Sequence, residues 1–155
     1  MSGAGASWPV PLAMKRALEA ARSAAAMGEV PIAAAIVREG EIIALEANAT
    51  RSPPDPTGHA EIRAIRAAAA IVGSERLVGC DLYVTLEPCA MCAGAISHAR
   101  IARLYYGASD PKGGAVEHGA RVFEHDQCLH APEIYAGLGE AEAADMLRAF
   151  FKDRR

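Results

Sequence analysis

The chain has 155 residues, enough for one domain with a buried core, and a formal net charge of −3. Apolar residues make up 52% and charged residues 23%, a globular composition with few aromatics and much alanine, so the core is expected to rest on small aliphatic side chains. A nucleic-acid binder relying on bulk electrostatics would be basic, so any such contact must be local; no apolar run reaches the roughly 18 residues that a membrane span needs.

The opening Met1-Ser2-Gly3-Ala4-Gly5-Ala6-Ser7 lacks the basic start and apolar stretch of a signal peptide and reads as a disordered tail, residues 1–7, on a single domain spanning 1–155. Leu12 to Met27 predicts a helix that follows Pro9 and Pro11 and is stopped by Gly28. Val30 to Arg38 and Glu41 to Ala49, joined by Glu39-Gly40, predict a β-hairpin. Residues 51–58, with three prolines and a glycine, form a loop. A helix follows from His59 to Val72, ended by Gly73. Cys80 to Leu86 predicts a strand, and Pro88 opens a helix from Cys89 to about His98 because proline suits a first helical turn. Ile101 to Tyr106 predicts a further strand ended by Gly107. Residues 109–132 have no clear period and read mostly as loop, and Glu140 to Phe151 predicts a last helix. Helices alternating with strands after an opening hairpin give an α/β fold, a three-layer α/β/α sandwich around a mixed sheet.

The four cysteines are Cys80, Cys89, Cys92 and Cys128. Without a secretion signal, disulfides are not expected, and the pair at 89 and 92 reads as metal-binding or redox-active. Two segments carry the chemistry: His59-Ala60-Glu61 at one helix start and Pro88-Cys89-Ala90-Met91-Cys92 at another. Residues three apart share a helix face, so Cys89 and Cys92 can grip one ion at a helix N-terminus that favours thiolates. His59 supplies a third ligand. Three protein ligands leave one tetrahedral position open, which marks a catalytic zinc, and sulfur with imidazole suits zinc better than magnesium or calcium. Glu61, two residues from His59, should not bind the same ion. It is placed to take a proton from zinc-activated water, pass it to a ring nitrogen and then protonate a departing amine. H-A-E followed by P-C-x-x-C after a strand is the signature of zinc deaminases. The competing readings are a redox dithiol and a structural zinc closed by Cys80 or Cys128.

On these residues the chain resembles the cytidine-deaminase-like superfamily and, more closely, the bacterial tRNA-specific adenosine deaminases. The similarity runs from about Leu12 to Arg155. It is carried by Asp55-Pro56-Thr57-Gly58-His59-Ala60-Glu61-Ile62, by Leu82 to Ile96, by Ala99-Arg100-Ile101, by Tyr106 to Ala115 and by Phe150 to Arg155. The resemblance implies a five-stranded mixed sheet and one zinc per subunit. It implies conversion of adenosine to inosine at the wobble position of an arginine tRNA, with the anticodon loop as partner. It also implies a cytoplasmic homodimer in which each pocket is completed by its neighbour. It places Asn48 against the substrate, whose amide can donate and accept at once, Asp110 near the ribose, and the Ala60 N–H as a donor to the base. Two positions depart from the pattern, Gly58 for alanine and Ala33 for glycine; both are expected at the pocket wall, where they bear on substrate choice.

His98, His118, His125 and His130 read as ordinary polar residues, with His125-x-x-Cys128-x-His130 as a candidate second metal site. Cys80 reads as a core residue. One of Tyr105 and Tyr106 must face the core, and the other is a candidate to stack on a base. Arg154 and Arg155, close to two phenylalanines, are candidates for phosphate contact beside an aromatic platform. Two alternatives to a tRNA adenosine deaminase are a zinc deaminase of a free base such as guanine or cytosine, and a dead zinc module that only binds RNA. An intact Glu61 counts against the last.

Overall fold

The computed structural model describes residues 10–152 and Arg154. The expected tail at 1–7, and Arg155, lie outside them. In chain order the elements are α1 (Leu12–Ala26), β1 (Ala33–Arg38), β2 (Glu41–Ala47), α2 (Ala60–Val72), β3 (Cys80–Leu86), α3 (Ala90–Ala99), β4 (Arg103–Ala108), a short 3₁₀ turn at Val122–Glu124, β5 (Glu133–Ala136) and α4 (Glu140–Lys152). The strands form one mixed sheet in the order β2-β1-β3-β4-β5. β1 pairs antiparallel with β2 and β3, while β3–β4 and β4–β5 are parallel.

The hairpin between β1 and β2 closes over Glu39 (φ 51°) and Gly40 (φ 81°), the pair of left-handed residues that a two-residue hairpin loop requires. Strand side chains then alternate between two helical layers. Ala34, Ile36, Leu82, Val84, Leu104 and Tyr106 face α2 and α3, packing against Ala60, Ala64, Ala68, Ala93 and Ile96. Ala33 and Ala108 face α1 and α4, packing against Met14, Ala17, Leu18, Ala21 and Ala143. The buried positions of α1 recur at three- and four-residue steps, one stripe facing the sheet. Alanine on both sides of these contacts lets helices and sheet approach closely.

Several boundaries move from their expected places. β1 starts at Ala33, not Val30, because Ile32 N donates to Val30 O (2.8 Å) and bends the chain around Pro31. β4 begins at Arg103 and runs through Gly107 to Ala108. Gly107 is therefore not a strand end. A Cβ there would sit 2.7 Å from Thr85 O and 3.0 Å from Leu138 O, so the residue permits a close backbone approach. Pro88 lies outside α3, since Cys89 already holds the N-cap position. β5 is the strand that the residue pattern does not announce.

Gly107→Ala is expected to destabilise the fold by about 1–3 kcal/mol through overpacking. The urea unfolding midpoint reads this, and an unchanged midpoint would show that the contact to Thr85 O relaxes freely.

Candidate active site

Two helix starts meet at the site. His59 is the N-cap of α2, in extended backbone (φ −72°, ψ 149°), and Cys89 is the N-cap of α3 (φ −74°, ψ 176°). Cys92 lies three residues further along α3. His59 Nδ1 is 3.6 Å from Cys89 Sγ and 3.5 Å from Cys92 Sγ, and the three ligand atoms lie within 4.8 Å of one another. A tetrahedral zinc with Zn–S of about 2.3 Å and Zn–N of about 2.0–2.1 Å requires an S···N edge of about 3.6 Å. The donor set therefore fits zinc in chemistry and in spacing. All four cysteines are free thiols, so no disulfide ties up Cys89 or Cys92 and both sulfurs are available as donors.

No fourth protein ligand joins this group among the described residues. Cys80 is buried at the start of β3, as expected of a core residue, and the Cys128 thiol donates to His130 O (3.2 Å). The candidate second cluster does not assemble either. His125 Nε2 contacts Ala120 O (2.6 Å) and His130 Nε2 contacts Ile101 O (2.7 Å), so both imidazoles are turned to backbone carbonyls.

The local electrostatics divide the two sulfurs. The Cys92 thiol beside it, against some burial, and then the Cys92 and Met91 amides and His59, pull the Cys89 thiol down to about 5. Cys92 is pushed well above the ordinary thiol range by its hydrogen bond to Cys89 and by burial, so without a cation the pair shares one proton. Glu61, 4% exposed in the first turn of α2, is pushed up to about 7, chiefly by burial and further by the Cys89 thiolate. A carboxyl that titrates near neutrality is suited to accept and return protons.

Asn48 is buried, and its Oδ1 accepts from Ala60 N (2.8 Å). That N–H, expected to point to a base, is thus engaged by Asn48, whose amide NH₂ remains to donate. Gly58 is dictated by the fold, because a Cβ there would meet Ala49 O at 2.3 Å. Ala33 packs in the α1 layer and not in the pocket wall where it was expected. Asp110 Oδ1 accepts from Lys112 N (3.2 Å) and Gly113 N (3.0 Å), closing a turn after β4.

Two carboxylates that the sequence reading passed over brace these segments. Glu29 accepts from Val30 N (3.0 Å), Thr50 N (2.8 Å), Thr50 Oγ1 (3.1 Å) and Arg51 N (3.3 Å), tying the end of α1 to the loop after Asn48. Glu87, directly after β3, is 2% exposed and accepts from Asp110 N and three successive amides at 116–118. Neither has a periodicity signal; for Glu87 its place directly before Pro88-Cys89 is the only hint, and Glu29 has none. Beside Asn48 lies a cavity of about 500 Å³ whose lining includes Arg51 and Arg63.

Of the tyrosines, Tyr106 faces the core with its hydroxyl unpartnered, and Tyr105 is stacked between Tyr83 (4.3 Å) and Tyr135 (5.0 Å). Both faces of Tyr105 are therefore occupied, and it offers no platform to a base. Arg154 lies over the Phe150 ring at 3.8 Å, with Arg51 5.5 Å from the same ring.

Residues 11–108 match the family model of the cytidine and deoxycytidylate deaminase zinc-binding region. The chain is 58% identical over 142 residues to a tRNA-specific adenosine deaminase of Agrobacterium fabrum, covering 92% of this chain and 93% of the relative. It is also 58% identical, with a TM-score of 0.86, to a solved structure from work on A-to-I editing by tRNA:A34 deaminases at the wobble position of transfer RNA, covering 87% of this chain and 98% of that one. The guanine deaminase of Bacillus subtilis is more distant: 42% identical, TM-score 0.61, over 63% of this chain and 62% of its own.

The raised Glu61 carboxyl sets a pH dependence for the metal-free protein. Below pH 4.5 it is protonated folded or unfolded and imposes no penalty. As pH rises, the unfolded chain ionises first, and the folded state loses stability until its own pKa of about 7 is passed. That gap is on the order of 3 kcal/mol. Glu61→Gln should therefore match wild type at pH 4 and exceed it by a few kcal/mol at pH 8 in urea unfolding of the metal-free form. Equal stability at both pH values would show that the carboxyl is not desolvated.

Proposed function

We propose, for a chain that belongs to the cytidine and deoxycytidylate deaminase zinc-binding family, that it converts adenosine to inosine at the wobble position of an arginine tRNA. The observation that carries the chemistry is the three-donor group with a buried, near-neutral Glu61 beside it. The match to tRNA-specific relatives over nearly the full length of both chains supports the choice of substrate.

In this reading His59, Cys89 and Cys92 hold one zinc per subunit, which when bound supplies the Lewis acidity that makes water a nucleophile near neutral pH. Glu61 accepts a proton from the attacking water and delivers it to the ring nitrogen next to the amine-bearing carbon. A carbon–oxygen bond forms. Glu61 then transfers the remaining hydroxyl proton to the amine, the carbon–nitrogen bond breaks, and ammonia leaves. Asn48 holds the start of α2 through Ala60 and offers its NH₂ to the base or ribose. Asp110 stands near the ribose. Arg51 and Arg154 supply the local positive charge that an RNA backbone needs on a chain of net charge −3, whereas Arg63 is paired with Glu46 (3.1 Å). The base must be splayed out of the anticodon loop to enter, because a stacked base is out of reach.

The working unit in this reading is a cytoplasmic homodimer, each pocket completed by its neighbour. Among the described residues no helix is long and apolar enough to cross a membrane. The second reading, a free-base deaminase, has the guanine deaminase likeness in its favour, over less of the chain.

The deciding experiment incubates the zinc-loaded protein with an arginine-tRNA anticodon stem-loop and, separately, with guanine, adenine and cytosine. Inosine in the RNA alone is expected; ammonia from a free base would select the second reading. Glu61→Ala should keep its zinc while turnover falls by at least about a hundredfold, the low end for loss of a general acid–base. His59→Ala should lose the metal. Retained turnover in Glu61→Ala would remove this carboxylate from the proton transfers.

A further inference from the structure

We infer that Glu87 and His118 form a positioning pair that welds the Asp110 loop to the backbone leading into Cys89, and so sets how tightly substrate is held. Among the described residues, neither side chain of the pair hydrogen-bonds to any of the three metal-ligand candidates His59, Cys89 and Cys92. Glu87 Oε1 accepts from Asp110 N (3.0 Å) and contacts His118 Nδ1 (2.8 Å). Its Oε2 accepts from Val116 N (3.1 Å), Glu117 N (3.0 Å) and His118 N (3.2 Å). One buried carboxylate therefore gathers both ends of the segment 110–118.

The wrapping is tight. Gly114 N donates to Asp110 O (2.8 Å), and a Cβ on Gly114 would lie 2.5 Å from Glu87 Cδ. Ala115 N donates to Pro88 O (2.8 Å), the carbonyl immediately before Cys89. Glu87 N donates to Ala108 O (2.9 Å), which anchors the hub to the end of β4. The backbone amides hold the carboxylate from within, and the His118 imidazole, whose side chain is 35% exposed, closes it from the solvent side. Truncating His118 removes that closure and frees the loop carrying Asp110, while Cys89 and Cys92 keep their place on α3.

The test uses the full-length zinc-loaded protein, His118→Ala and His118→Asn, whose Nδ2 overlays the imidazole Nδ1 and keeps a donor for Glu87. Zinc content, amide hydrogen exchange over 110–118, and kcat and KM on the anticodon stem-loop are measured. A hydrogen bond to a charged group supports an expected KM rise of about tenfold or more in His118→Ala, with zinc retained and kcat within about threefold. Exchange over 110–118 should quicken in His118→Ala, and His118→Asn should restore both readouts. Wild-type exchange and KM in His118→Ala would overturn the pairing. So would zinc loss with a fallen kcat, or an Asn variant as impaired as Ala. The KM arm rests on the RNA reading above; the exchange arm does not. A wild-type protein making no inosine would sink that reading while exchange still decides the pair.

Discussion

The fold is organised around a meeting of two helix starts. His59 and Cys89 each occupy the last extended residue before a helix, where the chain has not yet begun to coil and the side chain projects past the first turn. Because β1 and β3 are neighbours in the sheet, α2 and α3 stand side by side and their N-terminal ends open at the same place. The Cys92 thiol, the Cys92 and Met91 amides and the positive end of α3 lie there, which favours the thiolate at Cys89. An imidazole and two sulfurs are held at the edge length of a small tetrahedron, and Glu61 is buried in the first turn beside them.

What surrounds this centre is largely irregular backbone, and buried or half-buried carboxylates give it shape. Glu29 and Glu87 each accept four or more donors from segments with no regular ladder of their own. In both groups burial drives the carboxyl pKa up, but the backbone amides and side-chain donors around it outweigh that and hold it below the ordinary range. Each remains an anion and so remains an acceptor. Asn48 and Asp110 thus stand on loops that are braced from beneath, one from the α1 side and one from β3.

Much of this was legible in the residues. The helices announce themselves through alanine-rich stripes and glycine stops, β3 through its alternation, and the metal centre through a motif whose spacing depends on helix geometry alone. The strand β5 escaped because its four residues are all exposed, leaving no buried face to print a period. Gly107 read as a stop because local pattern cannot show a carbonyl arriving from β3. Gly58, read as a departure at the pocket wall, is required by Ala49 O for the same reason. The candidate cluster of His125, Cys128 and His130 has ligand-like spacing, yet each imidazole finds a backbone carbonyl first. Tyr105 was half-read: its partner Tyr106 faces the core as alternation demands, but Tyr83 and Tyr135 lie across neighbouring strands and claim both its faces.

The exposure of β5 has a bearing on how the protein behaves in a crowded solution. An outermost strand offers a row of free amides and carbonyls that a stray chain can zip onto. Here that row is four residues long, begins with Glu133 directly after Pro132, and gives way after Ala136 to Gly137 in left-handed backbone. A strand so short, started by a charge and ended by a bend, gives an incoming chain little length to template on, and the sheet terminates there without a cap of its own.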